Sequence, residues 1–165
     1  MKKIGLISDT HSYLDPSVLK YFRECDEVWH AGDIGELTVT RQIEEVTTLR
    51  AVYGNIDDTE ARATYPENQI FECEGLKVWM THIGGYPPRY TTKLKKQLDE
   101  IKPGLFICGH SHILKAIPDK SRHLLHLNPG AAGKHGFHKV RTIMLFEIEK
   151  GKIQNLRVVE LGPRA

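Results

Sequence analysis

Five short clusters of metal-ligating residues lie in order along the chain: Asp9-Thr10-His11, Gly32-Asp33, Gly54-Asn55-Ile56-Asp57, Thr81-His82 and Gly109-His110-Ser111-His112. Leaving Asp57 aside, they supply Asp9, Asp33, Asn55, His11, His82, His110 and His112 as candidate ligands. This mixture of hard oxygen and imidazole nitrogen suits divalent Mn, Fe, Ni or Zn. Two cations about 4 Å apart repel strongly, so a negative ligand must bridge them, and either Asp9 or Asp33 is a candidate for that place. The neutral Asn55 amide binds a cation without cancelling the charge that a phosphate needs. Water shared by two such cations loses a proton and becomes a hydroxide nucleophile, and the same cations stabilise the charge that builds on the phosphoryl oxygens. Two-metal hydrolysis of a phosphate ester is the chemistry to expect.

The segments before these clusters read as strands. Ile4 to Ile7 is an unbroken apolar run, as expected of a strand buried on both faces. A helix is expected from Pro16 through Phe22, a strand over Glu27–Ala31, a helix over Thr38–Thr47 and a strand over Leu49–Tyr53. This β-α-β-α-β order implies right-handed crossovers and parallel pairing. Hairpins are expected from Gln69–Cys73 with Leu76–Thr81, from Ile113–Ile117 with His123–Leu127, and from Val140–Ile148 with Ile153–Leu161. Between them lie a helix over Arg89–Ile101, stopped by Pro103-Gly104, and a buried strand over Leu105–Cys108. The fold class is α/β (α+β), with two mixed sheets packed as a sandwich and helices outside. Ligands gather outside the carboxyl ends of strands in such sheets, so all five clusters meet at one rim. Gly32, Gly54 and Gly109 are expected to let the backbone turn sharply there.

The 165 residues suit one domain, 1–165, with a substantial core. A formal net charge of +2 gives no argument for nucleic acid or a membrane surface. No apolar stretch approaches the roughly 20 residues of a spanning helix, and the apolar run after Lys2-Lys3 ends at Ser8-Asp9, which reads as a strand and not a signal peptide. Cys25, Cys73 and Cys108 fit neither a disulfide framework nor a CxxC zinc pattern, and a reducing cytoplasm is the natural reading.

The set D-x-H, G-D, G-N-x-D, H and G-H-x-H resembles that of the calcineurin-like metallophosphoesterases, and most closely the compact bacterial and archaeal phosphodiesterases of the YfcE type. The resemblance runs from Asp9 through the Asn128-Pro129-Gly130 turn. It implies two divalent metal ions, with Mn first and Ni, Fe or Zn as alternatives. Asp9, His11 and His112 would hold one ion, Asn55, His82 and His110 the other, and Asp33 would bridge them. Asp33, Asn55 and His110 would carry the catalysis. It implies a phosphodiesterase acting on a small phosphate ester, with a homo-oligomer as a possible assembly. The alternatives are a phosphomonoesterase or nuclease of the same superfamily, or a non-catalytic scaffold module of the kind found in eukaryotic trafficking complexes, whose relatives have lost ligands that this chain keeps.

Two departures stand out. Many relatives read G-N-H-[DE], whereas Ile56 here can neither protonate a leaving group nor hold phosphate, which favours diesters and good leaving groups. The loop after His82, Ile83-Gly84-Gly85-Tyr86-Pro87-Pro88, is this protein's own and is expected to shape the pocket. Asp57, His30 and Cys108 read as structural, and His123 and His126, three apart on a strand, face opposite sides. For 128–139 two readings stay open. It is a flexible connection, or its glycines present N–H groups to phosphate while Lys134, His135 or His138 supplies a proton or charge. Tyr86 to Tyr90 reads as a stiff surface turn, with base stacking and an Arg89–phosphate contact as the alternative.

Overall fold

The computed structural model describes residues 1–165. Its elements run β1 (Lys2–Ile7), α1 (Pro16–Phe22), β2 (Glu27–His30), α2 (Thr38–Glu44), β3 (Thr48–Ala51), α3 (Thr59–Thr64), β4 (Asn68–Cys73), β5 (Leu76–Thr81), α4 (Thr92–Ile101), β6 (Leu105–Ile107), β7 (Lys115–Asp119), β8 (Leu124–Asn128), β9 (Val140–Glu149) and β10 (Lys152–Pro163). Two five-stranded sheets result, in the orders β10-β9-β1-β2-β3 and β4-β5-β6-β8-β7. Both are mixed: β1 pairs parallel with β2 and antiparallel with β9, and β6 pairs parallel with β5 and β8 while β7 runs antiparallel to β8.

Three apolar layers follow from the alternation of side chains along strands. Ile4 and Leu6 of β1 meet Trp29, Val78, Met80, Leu105, Ile107 and Phe146 between the sheets. Ile7 points the other way, toward Val18 and Phe22 of α1 and Val39 and Ile43 of α2. On the far side, Trp79, Phe106 and Cys108 pack under Leu94 and Leu98 of α4. The sandwich and its flanking helices therefore agree with the sequence reading, and Cys108 is indeed core. Gly5 sits where a Cβ would come within 2.7 Å of the Phe22 ring, so α1 lies directly on the strand.

The differences are local. The six-residue α3 was not expected. Asp58 caps it, its side chain accepting from the Ala61 N–H at 3.0 Å, but only Ala61 of its residues is buried, so it has no apolar stripe to read. Helix α4 begins at Thr92 rather than Arg89, because the Thr91 hydroxyl accepts from the Leu94 N–H. Tyr90, expected on a surface turn, is buried against Phe106. Tyr90 is therefore not free to stack a base, while half-buried Tyr86 has Lys115 Nζ 3.6 Å from its ring centre.

Candidate metal centre

Five of the seven candidate ligands leave their strands in the left-handed region of backbone space: Asp9 (φ 54°), His11 (44°), Asp33 (55°), His110 (69°) and His112 (61°). Non-glycine residues there cost of order 1–3 kcal/mol each and cluster where structure serves function. Each of these residues stands at or just past the carboxyl end of β1, β2 or β6. The reversal turns consecutive side chains back over the rim. Gly32 shares this conformation (φ 100°), but Gly54 and Gly109 do not. Those two glycines are needed for closeness: a Cβ on Gly54 would lie 2.1 Å from Asp33 Oδ1, and one on Gly109 would lie 2.2 Å from Ser8 Oγ and 2.7 Å from Asp9 Oδ2.

Two groups form. The ligating atoms of Asp9, His11 and His112 lie within 4.8 Å of one another, as do those of Asp33, His82 and His110. Each aspartate has one oxygen committed to the protein and one left over. Asp9 Oδ2 accepts from the Ser8 hydroxyl (2.6 Å) and the His110 N–H (3.1 Å), while Oδ1 faces His112 Nε2 at 3.1 Å and hydrogen-bonds to nothing. Asp33 Oδ1 accepts from the Ile56 N–H at 3.0 Å, and Oδ2 lies 3.2 Å from His82 Nε2 and 3.5 Å from His11 Nε2. That oxygen therefore reaches one histidine from each group. Burial alone would raise the Asp33 carboxyl, but His11 and His82 beside it hold it well below the usual carboxylate range.

His82 shows how the protein sets a tautomer. Its Nδ1 lies 2.8 Å from the Ala31 carbonyl, which can only accept, so Nδ1 carries the proton and Nε2 presents a lone pair to the centre. Burial would lower this ring, yet the carboxylates of Asp33 and Asp9 hold it above the ordinary histidine range in the absence of a cation. Three buried atoms, Asp9 Oδ1, His11 Nε2 and His82 Nε2, have no hydrogen-bond partner. Leaving such groups unpaired costs roughly 1–3 kcal/mol apiece, and a cation at their focus removes that cost, so these residues fit divalent metal. Asn55 Oδ1 lies 3.0 Å from His110 Nδ1, a separation that serves a hydrogen bond or two neighbours on one cation about 2.1 Å from each.

Several residues support the ligands from behind. Asn128 donates from Nδ2 to the Gly109 carbonyl at 3.0 Å and to Ser111 Oγ at 3.2 Å, while its Oδ1 accepts from the Gly130 N–H, tying the last cluster to β8. Asp57 takes three backbone N–H groups, from Ile34, Gly35 and Gly54, which bears out a structural role. His30 is buried between the Gly32 N–H on Nδ1 and the Thr10 hydroxyl on Nε2, and burial pushes its pKa down to about 4, so it stays neutral. The 128–139 segment is packed and not slack. The His135 ring lies 4.8 Å from that of His11, His138 lies edge-on to His112 at 5.3 Å, and Gly136 leaves no room for a Cβ against His112. Lys134 turns away to cover Tyr13. A cleft of about 260 Å³ opens over the centre, with His11, Asp33 and His110 on its floor and Ile56, His135 and the wholly exposed Phe137 around it.

Comparison with known proteins gives the family. A probable metallophosphoesterase of Methanothermobacter thermautotrophicus is 30% identical over 135 residues, covering 78% of this chain and 76% of its own. A phosphodiesterase of Methanocaldococcus jannaschii is 27% identical over 173 residues, covering 93% and 98%. Among solved structures, zinc-complexed Vps29 of Entamoeba histolytica superposes with a TM-score of 0.75 at 16% identity over 99% of both chains, a likeness of fold. Residues 1–151 match the family model of the calcineurin-like phosphoesterase superfamily domain, and the chain thus belongs to that superfamily of phosphoester hydrolases.

Proposed function

We propose that the chain is a divalent-metal-dependent phosphodiesterase acting on a small phosphate ester. The observation that carries this reading is the convergence of three buried, unpaired ligand atoms with Asp33 Oδ2 between the two groups. Asp9, His11 and His112 would hold one ion, Asn55, His82 and His110 the second, and Asp33 would touch both. When bound, the pair of ions supplies Lewis acidity toward phosphoryl oxygens and lowers the pKa of water at the site. The chain's own part is to orient and to exclude. Ala31 fixes the His82 tautomer, Ser8 and the His110 N–H hold Asp9, and the Ile56 N–H holds Asp33. Asn55 is catalytic in the sense that its uncharged amide leaves net positive charge for the substrate.

The diester preference rests on Ile56. It is 45% exposed on the cleft wall and has no proton to give, so leaving groups that depart without protonation are favoured. The phosphodiesterase name of the M. jannaschii relative supports the same choice. No helix is long and apolar enough to cross a membrane, and the three cysteines are all free thiols, which supports a reducing compartment such as the cytoplasm. Hydrolysis of bis-p-nitrophenyl phosphate with added Mn tests the proposal: Asp33→Ala abolishes turnover, and no turnover with any of Mn, Ni, Fe or Zn overturns it.

A further inference from the structure

A second room opens beside the centre, about 230 Å³ in volume, and shares Asn55 and His82 with it. Arg62 of α3 lines this room. No other lysine or arginine lines either it or the cleft over the metal groups. Its guanidinium is held in place: Nε donates to the Asp57 carbonyl at 2.8 Å, Nη2 to the Asn55 carbonyl at 3.3 Å, and Tyr53 lies beneath its plane at 4.8 Å. The two carbonyls flank Ile56, so Arg62 is fastened to the same loop that presents Asn55. Two of its five N–H donors are used, and both on Nη1 remain. Glu67, exposed like Arg62, lines the same room.

We infer that this room receives the second ester arm of the substrate, that Arg62 is a specificity-determining residue, and that the arm it selects carries vicinal hydroxyls. This rests on the phosphodiesterase reading above. An anionic arm would gain Arg62 but meet the like charge of Glu67 in the same room. An alkyl arm would displace water from both exposed charged groups and return no hydrogen bond. A hydroxyl both accepts and donates, so two neighbouring hydroxyls satisfy the guanidinium and the carboxylate together. The fixed geometry of Arg62 lowers the entropy lost on binding.

The test compares three p-nitrophenyl phosphodiesters whose second arm is propyl, 2,3-dihydroxypropyl or 2-carboxyethyl, with Mn present. The dihydroxypropyl ester is expected to show a KM about tenfold below that of the propyl ester, the size of one hydrogen bond to a charged group. Arg62→Gln and Glu67→Gln are each expected to bring that ratio close to one. Equal KM values for dihydroxypropyl and propyl in the unaltered protein, or the lowest KM for the carboxyethyl ester, overturn the inference. So does an Arg62→Gln variant that weakens all three alike, since Arg62 then acts only by bracing the Asn55 loop. If none of the three is hydrolysed, the phosphodiesterase reading falls by itself, and the calorimetric affinities of the same esters decide on Arg62.

Discussion

His82 Nε2 lies 3.2 Å from Asp33 Oδ2, while the proton on its Nδ1 is held by the Ala31 carbonyl. A neutral ring would turn a lone pair toward that carboxylate in a buried place, so His82 either takes up a second proton or shares a cation with Asp33. Divalent metal is therefore expected to stabilise the folded chain. At a hundred times its dissociation constant a ligand adds about 2.7 kcal/mol, which raises Tm by roughly 5–10 °C for a domain of this size. Calorimetric melting with and without Mn measures this, and Asp33→Ala and His82→Ala should each lose most of the rise. An unaltered Tm in the parent chain would count against a metal site.

The residues behind the ligands should matter nearly as much. Ser8 is fully buried and donates to Asp9 Oδ2, and Asn128 holds the backbone that carries His110 and His112. Removing such outer contacts lowers metal affinity about 10–100-fold in comparable sites. Ser8→Ala and Asn128→Ala are expected to fall in that range by titration calorimetry. A variant that binds Mn as tightly as the parent would show that its hydrogen bond does not position a ligand.

The motifs made the rim legible because each closes a strand, and alternation plus parallel connection then dictate where strand ends go. Hydrogen-bond accounts were not legible. Nothing in Gly54-Asn55-Ile56-Asp57 announces that Asp57 would take N–H groups from both its own loop and the one after Asp33. Arg62 escaped notice for a similar reason. It sits in a helix of six residues with little apolar patterning, and its place is set by two carbonyls rather than by any spacing. Tyr90 misled because a Tyr-Pro-Pro-Arg-Tyr string looks like surface, whereas burial of its ring against Phe106 decides the matter.

Gly54 offers a sharper test of how the centre is packed. Its φ is not in the left-handed region, so alanine meets no backbone penalty there. The added Cβ would instead lie 2.1 Å from Asp33 Oδ1 and 2.4 Å from its backbone nitrogen. Asp33 or the Gly54 loop must shift. Gly54→Ala is expected to cost about 1–3 kcal/mol in urea unfolding and to lose activity out of proportion to stability. Full activity in this variant would mean that the loop yields without moving Asp33.

His126 lies far from this chemistry and sets a pH dependence of its own. It is 1% exposed, packed against Phe106, and neither ring nitrogen has a hydrogen-bond partner. Burial pushes its pKa down from 6.5 to about 4, and the nearby Lys115 charge adds to this. The unfolded chain takes up a proton near pH 6.5 while the folded chain does not until about pH 4, so stability falls as pH falls through that window. A shift of this size corresponds to about 3 kcal/mol at the acid end. His126→Phe is expected to flatten the decline between pH 6.5 and 4 in urea unfolding, and to be no less stable than the parent at pH 7. Buried His30 contributes a similar slope, so the variant should retain part of the decline. An unchanged profile would show that His126 is protonated, or hydrated, in the folded chain.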